Sequence, residues 1–323
     1  MKQQENFYKS DSLWSVYGLN SKEEFYRKIN LSPKFHQGVP EDLSNEFKTI
    51  EYLIVLSYHH AGFLDEAVTK ALVAIEIAIK IKAKQLEISL EIKNKKTGKK
   101  RDKSLFALTT EVLNRIELTS LQSEFNRTRN MRNRRVHKDT HTFMGVVGYP
   151  INNIRLIINL INHLFIEESE IKDIIEKENK YKSLLLNFQH KPMVLEFEGK
   201  RILIESIPIF KYIKFKNTEL LVLVIEPVIN NVYESITENP LRKPLILTLK
   251  DFIIDDVLIK GNGLKENPVS ISFTDKVENI YMFNTFIQEK QKVDQTNLFV
   301  YNEAINRDAP WEIENIIFEY CWN

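Results

Sequence analysis

Three side chains in one short stretch have the types and spacing needed for chemistry on a phosphate. The stretch RTRNMRNRRVHKDTH, residues 127–141, contains Arg132, Asn133 and His137. A guanidinium offers a planar fork suited to a phosphate, an amide can orient a ligand, and an imidazole can exchange a proton near neutral pH. Together these groups could cleave RNA without a metal ion.

The element expected to position these groups is a helix over residues 119–137. On an ideal helix, which advances 100° per residue, five positions fall within about 80° of one another and should face the interior: Leu121, Phe125, Thr128, Arg132 and Val136. A guanidinium in such a row needs an acidic partner or a cleft that accepts an anion, because an unpaired buried charge costs several kcal/mol. Asn133 and His137 are four residues apart and share an adjacent face, so the three side chains can converge on one space.

A neighbouring helix supplies a candidate acidic partner. Residues 63–92 repeat apolar side chains at intervals of three and four, which predicts one long helix packed by a single stripe. Glu76 lies about 40° outside that stripe on an ideal helix and could reach Arg132 or His137. It could equally form an exposed pair with Lys80 at the next turn, and the sequence leaves the two arrangements open.

Arg132, Asn133 and His137, spaced Arg-Asn-x-x-x-His, resemble the signature of HEPN domains. That family's fold is a helical bundle with the motif on a late helix after a helical hairpin, and the segment DEAVTKALVAIEIAIKIKAKQL looks like its long second helix. The resemblance covers residues 40–170. It implies a metal-independent endoribonuclease that works as a homodimer, with the motif arginine and histidine of two subunits meeting at the interface. Many members are toxins or abortive-infection effectors in anti-phage defence.

The resemblance also assigns roles to residues of this chain. His137 would act as acid or base while an RNA 2′-hydroxyl attacks the adjacent phosphate, Arg132 would stabilise charge on the phosphoryl oxygens, and Asn133 would hold the geometry. Independently of the resemblance, a Glu76 that pairs with Arg132 would be a structural or tuning residue. Neither a metal ion nor a cofactor is expected. Nearby cations would contact phosphates of the RNA: Arg127, Arg129, Arg135 and Lys138. The expected products are a 2′,3′-cyclic phosphate and a 5′-hydroxyl.

Other interpretations of this stretch remain open. The bundle could be a degenerate, non-catalytic HEPN-like module that binds nucleic acid or protein without cutting, or a plain helical scaffold whose Arg132 is paired in the core. His137 and His141 have a spacing that can bind zinc from one helix face, but Lys138 stands where the His-Glu-x-x-His pattern has its glutamate. The basic run KNKKTGKKRDK, residues 93–103, could be a solvated loop between two helices or an arm that guides RNA.

Length and texture divide the 323 residues into two expected domains of an α+β protein. Residues 1–190 are expected to form an all-α, HEPN-like helical bundle with an N-terminal extension. Residues 191–323 contain short runs rich in Val, Ile, Leu and Phe between turn residues, which predicts a β-rich domain. The run WEIENIIFEY is predicted as a strand and KGNGLKENP, residues 260–268, as a loop. This domain would sense a trigger, bind a partner such as an antitoxin or regulatory protein, or organise assembly.

Charge is unevenly distributed along the chain, although the formal net charge is only +1. Residues 1–190 carry 30 Lys+Arg and 24 Asp+Glu, whereas residues 191–323 carry 15 and 20, so an anionic partner is expected at the N-terminal part. The single cysteine, Cys321, excludes a disulfide framework within the chain. Trp311 and Trp322 are expected in the core or at an interface, not in a base-stacking platform. No run approaches the roughly 18 apolar residues of a membrane span. We therefore expect a cytoplasmic protein that does not enter a membrane.

Overall fold

The computed structural model describes residues 8–93, 98–136, 148–189, 191–238 and 243–322. The chain forms two compact units, one of Met1–Ile171 with Trp322–Asn323 and the other of Lys172–Cys321. Helices dominate the first unit, and the second consists of a six-stranded barrel with helices, so the expected mixture of helix and sheet is confirmed. In the described part of the chain, every helix is too short or too polar to cross a lipid bilayer.

The division between the two units falls inside a helix, α8 (Glu168–Leu185), rather than at residue 190. The texture of the sequence changes at Pro192, which suggested the later boundary. However, the last turns of α8 carry Tyr181, Leu184 and Leu185, and these side chains pack against the apolar core of the barrel. Because a helix belongs to the core that buries its apolar face, the end of α8 is part of the second unit.

The first unit holds seven described helices before α8. In chain order they are α1 (Leu13–Val16), α2 (Lys22–Ile29), α3 (Glu41–Leu56), α4 (Gly62–Gln85), α5 (Leu105–Arg115), α6 (Gln122–Val136) and α7 (Gly148–Leu164). Helix α2 begins with a capping box, in which the side chains of Ser21 and Glu24 accept from backbone N–H groups of the first turn. Ser104 is the N-cap of α5, and its hydroxyl accepts from the N–H of Ala107 at 3.2 Å.

The predicted apolar stripe of α4 is confirmed, since all eight of its members are buried: Leu64, Ala67, Val68, Ala71, Leu72, Ile75, Ala78 and Ile79. Contacts with α3, α5, α6 and α7 make α4 the central helix of this unit. The helix ends at Gln85 instead of residue 92. Glu87 has a φ of 57°, a left-handed conformation in which a right-handed helix cannot continue.

A two-stranded antiparallel hairpin stands where a solvated loop was expected. Strand β1 (Glu91–Lys93) pairs with β2 (Lys100–Asp102), so the expectation of a plain loop was wrong on both sides of the turn. Gly98 has a φ of 67°, which glycine adopts without steric cost and which helps the chain reverse. Residues 94–97 lie outside the described residues. The many charged side chains of this run predicted a loop. They do not prevent strand formation, because strand pairing depends on backbone groups.

Six consecutive antiparallel strands close into a barrel in the second unit. They are β3 (Met193–Phe197), β4 (Lys200–Phe215), β5 (Thr218–Pro227), β6 (Leu245–Ile254), β7 (Leu258–Gly263) and β8 (Pro268–Phe273). Each strand pairs with the next along the chain, and β3 also pairs with β8 to complete the circle.

The tight hairpin expected around Gly199 is confirmed: Glu198 and Gly199 have φ angles of 50° and 71°, as a two-residue turn requires. The stretch 260–268, expected to be a loop, instead contains the end of β7 and the start of β8.

Three helices accompany the barrel, namely α9 (Val232–Glu238), α10 (Val277–Lys290) and α11 (Gln295–Tyr320). The prediction of WEIENIIFEY as a strand was wrong, because this run lies in α11. Its β-branched residues suggested a strand, but Ile313 and Ile317 are four residues apart and both buried, which is the period of a helix face.

Trp322 is a core residue of the first unit. Its indole Nε1 donates to Oδ1 of Asn159 at 2.7 Å, and its ring meets the imidazole of His163 edge-on, with ring centroids 5.2 Å apart. Trp311 is also buried. Both tryptophans are buried, as expected for core or interface residues.

Candidate functional site

The helix predicted to carry the motif is present as α6, which follows a 3-10 turn at Thr119–Leu121. Its inner row is confirmed at the N-terminal end, where Leu121, Phe125 and Thr128 are buried. The hydroxyl of Thr128 donates to the backbone carbonyl of Phe125 at 2.8 Å, so this polar group is satisfied inside the core. Contacts with α4, α5 and α7 fix the orientation of α6.

Arg132 is the next member of this row and lies at the edge of the interior. Its Nη2 is 3.3 Å from Oε2 of Glu76 on α4, and 35% of the Arg132 side chain is exposed. Its Nη1 makes a weak contact of 3.4 Å with Oδ1 of Asn133. A guanidinium has five N–H donors, so these contacts leave donors with which an incoming anion can interact.

Glu76 is shared between two cations. Besides the contact with Arg132, its Oε1 accepts from Nζ of Lys80 on the next turn of α4 at 2.8 Å. The side chain of Glu76 is only 19% exposed. Both arrangements that the sequence left open therefore occur together, and the carboxylate holds Arg132 while being partly neutralised by Lys80.

Arg135 points into the protein, unlike the RNA-facing position expected for it. Its Nη2 donates to Oδ1 of Asp65 at 2.6 Å, and its Nη1 donates to the carbonyl of Asp65 and the hydroxyl of Thr69, each at 2.7 Å. Only 10% of its side chain is exposed. These three hydrogen bonds link α6 to the first turns of α4, so the geometry gives Arg135 a structural role in place of a phosphate contact.

Arg129 and Arg127 occupy two other sides of α6. The guanidinium carbon of Arg129 lies 4.7 Å from the ring centroid of Phe106 on α5, a cation–π arrangement. Arg127 is exposed and lies about 140° around the helix from Arg132. The cations of the opening stretch thus divide into those that contact neighbouring helices and those that face solvent.

His137 and Lys138 lie in 137–147, outside the described residues, as does His141. The convergence of His137 with Arg132 and Asn133 therefore stays a prediction, and so does the zinc spacing of the two histidines. Asn133 itself is half-buried on α6. Within the described ranges, no three His, Cys, Asp or Glu side chains are grouped closely enough to hold a metal ion.

Sequence reasoning missed three residues that position the cations of α6. Asp65 and Thr69 hold Arg135, and Phe106 holds Arg129. One signal was available for the first two, because Asp65, Thr69 and Glu76 fall within about 40° on an ideal helix. That polar line on α4 marks the side that faces α6. Phe106 had no comparable signal, since its contact depends on how α5 packs.

A separate cavity of about 570 Å³ lies at the C-terminal ends of α4 and α5. Lys82 lines it, and burial lowers the pKa of this lysine. Glu87, Glu117 and Glu168 line the same cavity, so its walls offer both signs of charge and do not select an anion. The surroundings of Arg132 are the better candidate site for a phosphate.

Comparison of the chain with protein-family models, with curated proteins and with solved structures gives no match. The resemblance to HEPN domains therefore depends on the motif residues, of which Arg132 and Asn133 lie on α6.

Proposed function

We propose that the chain is a metal-independent endoribonuclease with a HEPN-like helical bundle in its first unit, acting on RNA as a homodimer. The proposal depends on the surroundings of Arg132. This arginine lies on the inner row of α6 and contacts the carboxylate of Glu76 on α4, and about a third of its side chain stays exposed. An arginine with a purely structural role would have its donors enclosed, as Arg135 has.

The proposed cellular role follows the resemblance to HEPN domains. The enzyme would be a toxin or an anti-phage defence effector in the cytoplasm, restrained by an antitoxin or a regulatory protein. The second unit would sense the trigger, bind that partner or organise assembly.

The proposed reaction is transfer of a phosphoryl group within the RNA strand. His137 accepts the proton of the 2′-hydroxyl as the oxygen–phosphorus bond forms, and the bond to the 5′-oxygen breaks as that oxygen takes a proton from water. Arg132 donates to the phosphoryl oxygens as negative charge builds up on them. Asn133 restricts the position of the phosphate, so that attack starts from a near-aligned geometry.

Glu76 would act on this reaction through Arg132. Its carboxylate fixes the guanidinium on the α4 side, which reduces the number of rotamers that Arg132 samples before RNA binds. Lys80 shares the same carboxylate, so the hold on Arg132 is weaker than that of an undivided ion pair. A phosphodiester, whose single negative charge is shared by two oxygens, can then compete for the free donors.

The decisive experiment follows cleavage of a labelled RNA strand by the purified full chain in the presence of a chelator. We expect fragments that end in a 2′,3′-cyclic phosphate and begin with a 5′-hydroxyl. His137→Ala should lower the cleavage rate by about 10²- to 10⁴-fold, and Arg132→Ala by about 10²- to 10³-fold. Arg27→Ala is the matched control, because Arg27 is an exposed arginine of α2, and it should leave the rate unchanged. Undiminished cleavage by both motif variants would end the catalytic assignment.

The contact between Arg132 and Glu76 also favours a second candidate function, that of a non-catalytic module which binds nucleic acid. In that case Glu76 would simply weaken anion binding, and Glu76→Gln should tighten the binding of RNA without producing any cleavage. Salt-sensitive binding by the unaltered chain, with no cyclic-phosphate product, would support this module. Loss of cleavage in Glu76→Gln with unchanged affinity would support the enzyme.

A further inference from the structure

The β1–β2 hairpin is exposed along all of its described residues. Lys93 on β1 and both Lys100 and Arg101 on β2 project from this short ribbon into solvent. Lys100 pairs with the carboxylate of Glu91 at 3.0 Å. Within the described residues, Lys93 and Arg101 make no ion pair, and the two strands carry three cations against the two carboxylates of Glu91 and Asp102, which leaves a small excess of positive charge.

The register of the hairpin places like charges directly opposite each other. Lys93 on β1 is the cross-strand partner of Lys100 on β2. Like charges in such a pair destabilise an isolated hairpin, and a two-stranded ribbon is already marginally stable in water. A bound polyanion would remove this repulsion, because a phosphate can interact with both ammonium groups.

The hairpin leads directly into the part of α5 that contacts the motif helix. The N–H of Lys103 donates to the carbonyl of Leu90 at 2.8 Å and closes the base of the hairpin. Phe106 follows Asp102 by four residues, which span at most about 14 Å. Arg129 lies over the Phe106 ring at 4.7 Å, and on α6 it precedes Arg132 by three residues, a rise of about 4.5 Å.

From these positions we infer that the hairpin and the Phe106–Arg129 pair form a track that grips single-stranded RNA beside Arg132. Lys93 and Lys100, a cross-strand pair on one face of the ribbon, contact adjacent phosphates, and Arg101 contacts a further phosphate from the opposite face. Phe106 with Arg129 receives an unpaired base. This inference rests on the proposed function, because it names the form of RNA that reaches the proposed site and the residues that hold it.

The choice of a single strand depends on the exposure of Phe106. The phenyl ring is 45% exposed although its guanidinium partner covers one side, so an aromatic surface remains in contact with solvent. Bases of a single strand can be splayed out and stacked on such a surface, whereas those of a duplex are already stacked and paired. Cations alone would bind either form, since phosphates carry no information about pairing.

The first test measures the salt dependence of binding to 2′-O-methyl RNA, which cannot be cleaved because the attacking hydroxyl is blocked. We expect the triple variant Lys93→Gln, Lys100→Gln, Arg101→Gln to reduce the slope of log affinity against log salt by about 2, since each single-strand phosphate contact contributes about 0.7. The triple variant Lys22→Gln, Arg27→Gln, Lys28→Gln is the matched control. It removes two lysines and one arginine, all exposed on α2, and should leave the slope unchanged.

The second test separates stacking from charge. Phe106→Ala should lower the affinity for the 2′-O-methyl single strand by about tenfold, as expected for the loss of one base-stacking contact, while the affinity for an RNA duplex stays the same. Phe106→Trp should retain the affinity for the single strand. An equal loss for both forms of RNA would overturn the stacking role.

Failure of this inference can be told apart from failure of the proposed function. If the unaltered chain cleaves RNA and the hairpin variant keeps the same salt slope as its control, the track is wrong and the nuclease stands. If the unaltered chain binds through the hairpin but yields no cyclic phosphate, the nuclease is wrong and the track stands. In a cleavage assay the hairpin variant should raise KM and keep kcat, because the hairpin contacts the RNA away from the reacting phosphate.

Discussion

Arg132 in the first unit and Lys290 in the second are both cations held by carboxylates, but their surroundings differ. Nζ of Lys290 lies 2.8 and 2.7 Å from the two carboxylate oxygens of Glu205 and 3.9 Å from Glu226. All three of these side chains are at most 18% exposed. Arg132 has one carboxylate contact at 3.3 Å and a side chain that is 35% exposed. A largely buried ion pair stabilises a fold, whereas an ion pair that is open to solvent at one edge keeps the capacity to bind an anion.

The largest effect on stability should come from removing Lys290 from its contacts with Glu205 and Glu226. Lys290→Ala removes the cation that contacts Glu205 and Glu226, and breaking a largely buried pair in this way costs about 3–5 kcal/mol in the free energy of unfolding. Urea unfolding of the full chain measures this loss. Adding Glu205→Gln to Lys290→Ala should recover much of it. A loss below about 1 kcal/mol would remove the basis of the comparison.

A smaller loss of stability is expected at Arg135, which lies on the same helix as Arg132 but is more deeply buried. Arg135→Ala removes three hydrogen bonds that link α6 to Asp65 and Thr69, and we expect a loss of about 2–3 kcal/mol, as for hydrogen bonds to charged groups. Thermal unfolding is the measurement, with Arg27→Ala as the control. If the variant kept its full thermal stability but bound RNA more weakly, Arg135 would be a phosphate-binding residue, as the sequence predicted, and not a structural one.

Arg132→Ala should change the free energy of unfolding by less than about 1 kcal/mol, because the ion pair with Glu76 is partly exposed and screened by solvent. The same variant should lose cleavage activity, so stability and activity separate at this residue. Chemical denaturation and the RNA assay on one preparation give both quantities. A stability loss as large as that of Arg135→Ala would show that Arg132 is structural too.

The smallest effect should come from a partly exposed pair on the second unit. A hydrogen bond from Lys214 lowers the pKa of Asp173 below its ordinary value of 3.8. The stabilising contribution of this carboxylate is therefore present above pH 3.8 and is lost as the pH falls through the lower folded-state pKa. The stability difference between the unaltered chain and Asp173→Asn, measured by urea unfolding, should shrink as the pH falls below 3.8 and vanish once the pH is below the lowered pKa of Asp173. A difference that grows with acidification would have the wrong sign.

The sequence predicted the helices of the site better than the side-chain contacts between them. The stripe of α4 and the row of Leu121, Phe125 and Thr128 on α6 followed from helical periodicity, which is a local property of the chain. The inward turn of Arg135 was missed, because it depends on where the first turns of α4 lie relative to α6. The strongest local signal, a run of positive charge, could not separate an arginine bound to Asp65 from one that faces solvent.

The fold of the second unit was predicted in class and missed in detail. Alternating apolar runs indicated most of the barrel strands, and the turn at Gly199 was identified from one glycine. The unit boundary was misplaced because the end of α8 is bound by contacts with the barrel core, which no change in composition marks. In α11 the β-branched residues favoured a strand, but packing of Ile313 and Ile317 on one face favoured the helix.

The pairing of β3 with β8 has a consequence for how other chains could attach. Every barrel strand has a neighbour on both sides, so the barrel offers no row of free backbone groups for an added strand. The ribbon of β1 and β2 consists of two strands alone, and each keeps one outer edge open. Among the described sheets, an extended peptide that binds by backbone pairing can dock only on that ribbon.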